Sequence, residues 1–246
     1  MEYVEKKALR ESGRVLRGCE DFMKNRMPPS GIRVVKKRGL MHTVFNNLAQ
    51  HANLMADMPR SIDYLKMALE VADDKETDKR LLPLAETFLN LANGTSYLNR
   101  YHEALEYAEK AMKFADKKCN KLRAEIIAFQ RKPEFEQNQD IFAGLQYQLN
   151  DFLNIKVMSF ICLGEQREKM GQYTQAMKCY NEGKMVAETN FGPRHDLYTR
   201  CVNLMGGARL KSKYQTREVY RQPKKGSPTQ SSKDKLKKKE NREKQR

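Results

Sequence analysis

Residues 88–111 read FLNLANGTSYLNRYHEALEYAEKA, and the same skeleton recurs at 45–68 (FNNLAQHANLMADMPRSIDYLKMA) and 160–183 (FICLGEQREKMGQYTQAMKCYNEG). Each window opens on phenylalanine: Phe45, Phe88 and Phe160. Three residues later comes leucine (Leu48, Leu91, Leu163), and beside it a small residue (Ala49, Ala92, Gly164). Twelve residues on stands a second small residue (Ser61, Ala104, Ala176), and seven further a third (Ala68, Ala111, Gly183). Five matched sites in three windows mark an internal repeat, and such periodicity outranks any single motif.

The spacing has a direct physical reading. Positions i, i+3 and i+4 share one face of a helix. The small residues allow a second helix to lie close, where a larger side chain would force the backbones apart. Turn residues stand between the two helices: Asp57 with Pro59, Asn99, and Gly171 with Gln172. Each window is therefore expected to be a helical hairpin, and hairpins that cannot bury their own apolar faces must stack.

Val202, Met205 and Gly206 repeat the first three slots, so a half-repeat near 199–213 is expected to close the array. The first two windows are 43 residues apart, whereas Phe88 and Phe160 are separated by 72. Either a degenerate extra hairpin or two lengthened helices could fill that gap. The continuous helical patterns over 102–131 and 138–170, split at Lys132-Pro133-Glu134, favour the second.

These residues resemble tetratricopeptide repeats over roughly 40–215. The best matches are Tyr101…Ala104…Tyr107 and Leu163-Gly164…Gly171-Gln172-Tyr173…Ala176…Tyr180. The ordinary period of that family is about 34 residues, so the longer period here is similar to the variant found in kinesin light chains and related adaptors. Phe191-Gly192-Pro193-Arg194-His195-Asp196 is similar to their Gly-x-x-His linkers. The resemblance implies an all-α solenoid with a right-handed superhelical twist, which serves as a protein-interaction scaffold.

It also implies where a ligand would sit, because the first helix of each hairpin lines the concave face. The groove candidates are Asn46, Asn47, Gln50, Asn90, Asn93, Glu165 and Asn203. Asn47 and Asn90 occupy equivalent slots, similar to the asparagine ladder by which long superhelices of this family hold a peptide backbone. An amide both donates and accepts, which suits sequence-tolerant binding; tolerated polar residues on an exposed face are the bland alternative. Cys162 breaks the ladder in the third unit. The clamp that holds chaperone C-termini needs cations where this chain has Asn46, Leu89, Glu86 or Met158, and Asn90 or Cys162. Binding of a chaperone tail is not expected.

The expected organisation is an amphipathic helix over 1–27 and a basic linker over 28–40. A repeat domain comes next over 41–215 (units near 42–75, 85–118 and 157–190, then the half-repeat), with a basic disordered tail over 216–246. The N-terminal helix, with Val4, Ala8, Val15, Cys19, Phe22 and Met23 on one side, would either cap the first hairpin or dock a partner. Met27-Pro28-Pro29-Ser30-Gly31 ends it.

The chain has 246 residues and a formal charge of +16, concentrated at its ends. Residues 221–246 hold eleven Lys/Arg against three Asp/Glu, and residues 1–40 eleven against five. The repeats are nearly neutral. Lys224, Lys225, Lys235, Lys237, Lys238 and Lys239 could capture an acidic surface such as tubulin tails, RNA or an anionic membrane, or could merely solubilise the chain. Lys235–Lys239 also resembles a nuclear-import patch. A phosphate on Ser227, before Pro228, would weaken such capture.

No stretch approaches the roughly 18 apolar residues of a membrane span, and the polar N-terminus is unlike a secretory signal. Five widely spaced cysteines (Cys19, Cys119, Cys162, Cys179, Cys201) suit a reducing compartment. The four histidines lack metal-ligand spacing, and no CxxC, HExxH, GxSxG or phosphate-loop string occurs. Asp73-Asp74 reads as a solvated pair, and His195 as a residue that fixes the linker turn. The expectation is a non-enzyme without metal or cofactor. It would be cytoplasmic, with the cytoskeleton or cilium favoured and the nucleus open. An RNA-associated protein that uses the basic ends is the alternative.

Overall fold

The computed structural model describes residues 2–25, 32–72, 81–131 and 138–221. These form eight helices: α1 (Glu2–Asn25), α2 (Ile32–Leu54), α3 (Met58–Val71), α4 (Leu81–Tyr97), α5 (Tyr101–Gln130), α6 (Gln139–Lys169), α7 (Tyr173–Phe191) and α8 (Asp196–Arg221). The Met27–Gly31 break, the Lys132–Glu134 split, Asp73-Asp74, Ser227 and the tail lysines 224–239 lie outside the described residues. The chain divides into two compact units at Arg209/Leu210, and the first of them holds the repeats.

This first unit is an all-α solenoid of antiparallel hairpins. Helix α2 pairs with α3, α4 with α5 and α6 with α7; α3 packs on α4, α5 on α6, and the first helices α4 and α6 also touch. The repeat slots explain why. Leu48, Leu91 and Leu163 are buried, as are the small residues Ala49, Ala92, Gly164, Ser61, Ala104, Ala176, Ala68, Ala111 and Gly183. A Cβ on Gly164 would lie 2.3 Å from Tyr180 Cε1, so glycine is what lets α7 seat a whole tyrosine ring on α6. Tyr180 is fully buried and donates its hydroxyl to Glu168 Oε2 at 2.9 Å.

One turn geometry repeats with the sequence. Eleven residues after each repeat phenylalanine stand Ala56, Asn99 and Gly171, with φ of 59°, 59° and 75°. In each turn the next amide closes a bond to a carbonyl five residues back: Asp57 to Ala52 at 2.9 Å, Arg100 to Thr95 at 2.9 Å, Gln172 to Arg167 at 2.8 Å. This left-handed helix end favours glycine or asparagine. Ala56 alone of the three carries a Cβ penalty without a polar compensation. Ala56→Gly is therefore expected to stabilise the chain by about 0.5–1 kcal/mol, read from urea unfolding. Beyond the turn, Asp57 caps α3 by accepting from the Arg60 amide at 3.2 Å, with Pro59 in the first turn.

The 72-residue interval is filled by two lengthened helices, 30 residues in α5 and 31 in α6. Asn138 caps α6 by accepting from the amides of Asp140 and Ile141. Toward their far ends the two helices keep one seam, where Phe129 stacks on Phe142 at 5.8 Å.

Five expectations need correction. Phe88 and Phe160 are half-buried rather than core. Phe88 lies in an aromatic stack with Phe114 at 5.6 Å and Tyr107 at 6.3 Å, and part of its ring stays open. In α8 the inward residues are Cys201, Leu204, Met205 and Ala208; Met205 keeps its expected slot, while Val202 and Gly206 are exposed. Residues 32–40, expected as linker, are the start of α2, and residues 216–221, expected as tail, belong to α8. Last, α1 does not use the expected stripe. Val15, Cys19 and Phe22 are exposed, whereas Gly13 is buried against the His51 ring and Leu16 packs near Phe45 and Leu48. The missing side chain at Gly13 selects that face, since it is where the two backbones can approach.

Candidate peptide-binding groove

Helices α2 and α4 run side by side as first helices, and their equivalent positions face one another across a groove of about 640 Å³. The floor comes from α3, through Met58, Ser61 and Leu65. The walls present matched pairs: Thr43 with Glu86, Asn47 with Asn90, and Gln50 with Asn93. Each pair sits at one offset from Phe45 and Phe88, so the repeat itself builds the ladder. Asn47, Gln50, Asn90 and Asn93 are all exposed to the groove.

Asn46 lines the groove too, but it is committed to the fold. Its amide donates to the His42 carbonyl at 2.9 Å, and its Oδ1 lies 2.9 Å from Thr87 Oγ1. Thr87 is fully buried and also reaches the Pro83 carbonyl at 2.7 Å and His42 Nε2 at 3.2 Å. This buried polar knot ties α2 to α4 and fixes the groove width, since a half-satisfied network at such a site would be costly.

The structure brings five of the seven candidates together. Glu165 and Asn203 are not among the residues that line this groove. Glu165 pairs with Arg200 of α8 at 3.1 Å, and Asn203 is exposed on α8. The ladder stops at Cys162, which is buried; its thiol lies 3.7 Å from Asn93 Oδ1, within hydrogen-bond reach of sulfur.

Glu86, Asn53, Pro83 and Tyr97 also line the groove and stand outside the candidates read from the sequence. Their signal is there: Glu86, Asn90, Asn93 and Tyr97 fall at i, i+4, i+7 and i+11 on α4. Packing around its carboxyl, and then the nearby Asp151 carboxylate, hold Glu86 above the ordinary glutamate range, although its outer side meets solvent. A second, mostly apolar hollow of about 410 Å³ joins the groove at Asn47 and Gln50 and is lined by Val15, Leu16 and Leu54. Helix α1 thus lengthens the groove at one end with an apolar step.

Residues 40–117 match the tetratricopeptide repeat family model. That segment is similar to tetratricopeptide repeats. The match covers the second part of α2 through most of α5, the segment that builds the groove. The α6–α7 hairpin, outside that match, repeats the turn geometry and the buried slots of the α2–α3 and α4–α5 hairpins at the same offsets. No curated protein matches the sequence.

Burial pushes the thiols of Cys119, Cys162 and Cys201 up to about 11, so they are protonated at neutral pH and poor nucleophiles. Among the described residues no group of three His, Cys, Asp or Glu could hold a metal ion, and no helix is long and apolar enough to cross a membrane. His195 acts on the backbone: its Nδ1 accepts from the Leu197 amide at 3.2 Å, and its ring stacks on Phe191 at 4.6 Å.

Proposed function

We propose that this chain is a non-enzymatic scaffold or adaptor of tetratricopeptide type that holds an extended or helical protein segment in the α2–α4 groove. The observation that carries this reading is the pairing of Asn47 with Asn90 on facing walls, both open to the same 640 Å³ groove. Each amide can donate to a peptide carbonyl and accept from a peptide N–H. The apolar step at Val15 and Leu54 suits one hydrophobic side chain of that segment. The long period resembles that of kinesin-light-chain-type adaptors, and a cytoplasmic assembly on the cytoskeleton or in the cilium is the setting proposed on that resemblance.

The test begins with crosslinking and mass spectrometry in the native cell to recover the partner segment. That segment, as a synthetic peptide, is then titrated against the parent and against N47A/N90A. Loss of two buried amide contacts is expected to weaken binding by about tenfold or more. Equal affinity in parent and variant would reject the groove. Binding should also survive removal of residues 221–246. The RNA-associated alternative has the opposite signature, a steep fall with salt and loss on removing the tail.

A further inference from the structure

On the flank of α1 away from the groove, Arg10, Arg14 and Arg17 line a separate hollow of about 400 Å³ together with Arg60 of α3. The three α1 arginines recur at i, i+4 and i+7, one face of the helix, and all are exposed. None of the three forms an ion pair with a described residue. Arg60 is partly answered: it leans on the Tyr64 ring at 5.8 Å and has Asp57 and Glu20 as neighbouring carboxylates. Glu20 is itself paired with Lys24 at 2.7 Å. A row of unanswered guanidinium groups over an apolar wall of Leu48 and Met55 is a surface built for an anionic ligand.

We propose that this hollow binds an extended peptide with acidic residues at alternate positions. The rise from Arg10 to Arg14 is about 6 Å. Alternate side chains of an extended chain lie about 6.8 Å apart on one face, so successive carboxylates meet successive guanidinium groups. A nucleic acid fits less well: the cationic row spans only about 10 Å, and the Tyr64 ring, on which a base could stack, is already covered by Arg60. The site lies outside the α2–α4 groove and does not depend on how that groove is used.

The probe is a fluorescein-labelled decapeptide of alternating Glu and Thr, titrated against the full chain by fluorescence anisotropy. A single-stranded RNA of about 20 nucleotides is run alongside, since a short strand samples the electrostatic binding of any basic patch. The peptide is expected to bind the parent and N47A/N90A alike. Its affinity should fall about tenfold or more in R10Q/R14Q/R17Q, where charge-assisted bonds are removed from exposed positions. Arg14→Gln alone should weaken it about threefold, which guards against a fold defect in the triple variant. Undiminished peptide affinity in both variants would overturn the proposal and place the capture on other basic stretches. Tighter binding of the RNA than of the peptide, with the same dependence on these arginines, would overturn it too.

Discussion

Gly164→Ala is expected to lower the melting temperature by about 6–12 °C, followed by circular dichroism, for a cost near 3 kcal/mol. A methyl group there would sit 2.3 Å from Cε1 and 2.6 Å from Cδ1 of Tyr180, inside any tolerable contact. The ring cannot swing away, because Tyr180 is fully buried and its hydroxyl is held by Glu168. The α6–α7 pair must then separate, which also loosens the Val157, Ile161, Ala187 and Cys201 cluster beneath α8. The double substitution Gly164→Ala with Tyr180→Leu should recover part of the loss, since the shorter side chain frees the space. An unchanged melting curve in Gly164→Ala would mean that the two helices do not meet at this point.

The second large effect separates burial from size. Leu91→Ala is expected to cost about 3–5 kcal/mol by urea unfolding, as Leu91 is 0% exposed between α3 and α5. Phe88→Ala, although it removes a larger side chain, should cost only about 2 kcal/mol, below the ~3–5 kcal/mol of a fully buried ring. Its ring keeps solvent on one side and shares its contacts with Phe114, Tyr107 and the Lys110 ammonium at 5.9 Å. If Phe88→Ala proved the costlier of the two, the inward face of α4 would be assigned wrongly by about one position.

These two residues also show how far the chain can be read from its letters. The small-residue slots are legible, because close helix approach leaves a sharp requirement in the chain: nothing larger fits. The phenylalanine slots are legible in position but not in depth, since an aromatic ring satisfies a half-open site as well as a closed one. Helix phase in α8 is hidden because Val202 is as apolar as Cys201, yet only Cys201 is buried. Only the turn geometry at Gly192, with φ of 88°, and the His195 cap set which row faces inward. The same blindness applies to α1, where an apolar stripe points one way and a single glycine another.

The groove has the same pattern. Asn47, Gln50, Asn90 and Asn93 follow from the tetratricopeptide resemblance, which puts first helices on the concave face, together with the repeat offsets that align their slots. Asn46 cannot be separated from Asn47 in the sequence. What separates them is a buried partner 41 residues away, Thr87, which no local pattern announces. Glu165 falls outside because Arg200 claims it, a contact between helices whose relation depends on the α8 phase.

The unequal hairpins have a mechanical consequence. Over 152–166 helix α6 is clasped by neighbours on several sides, with ten buried residues, whereas over 139–150 none is buried and only Phe142, Leu145 and Leu149 are half-covered. At that end, among the described residues, the pair is joined through one line of apolar contact. Opening it would break few contacts and leave the α2–α4 hollow untouched. The molecule therefore carries a thinly packed arm on a densely packed base, and the arm is the part expected to exchange its amide hydrogens first.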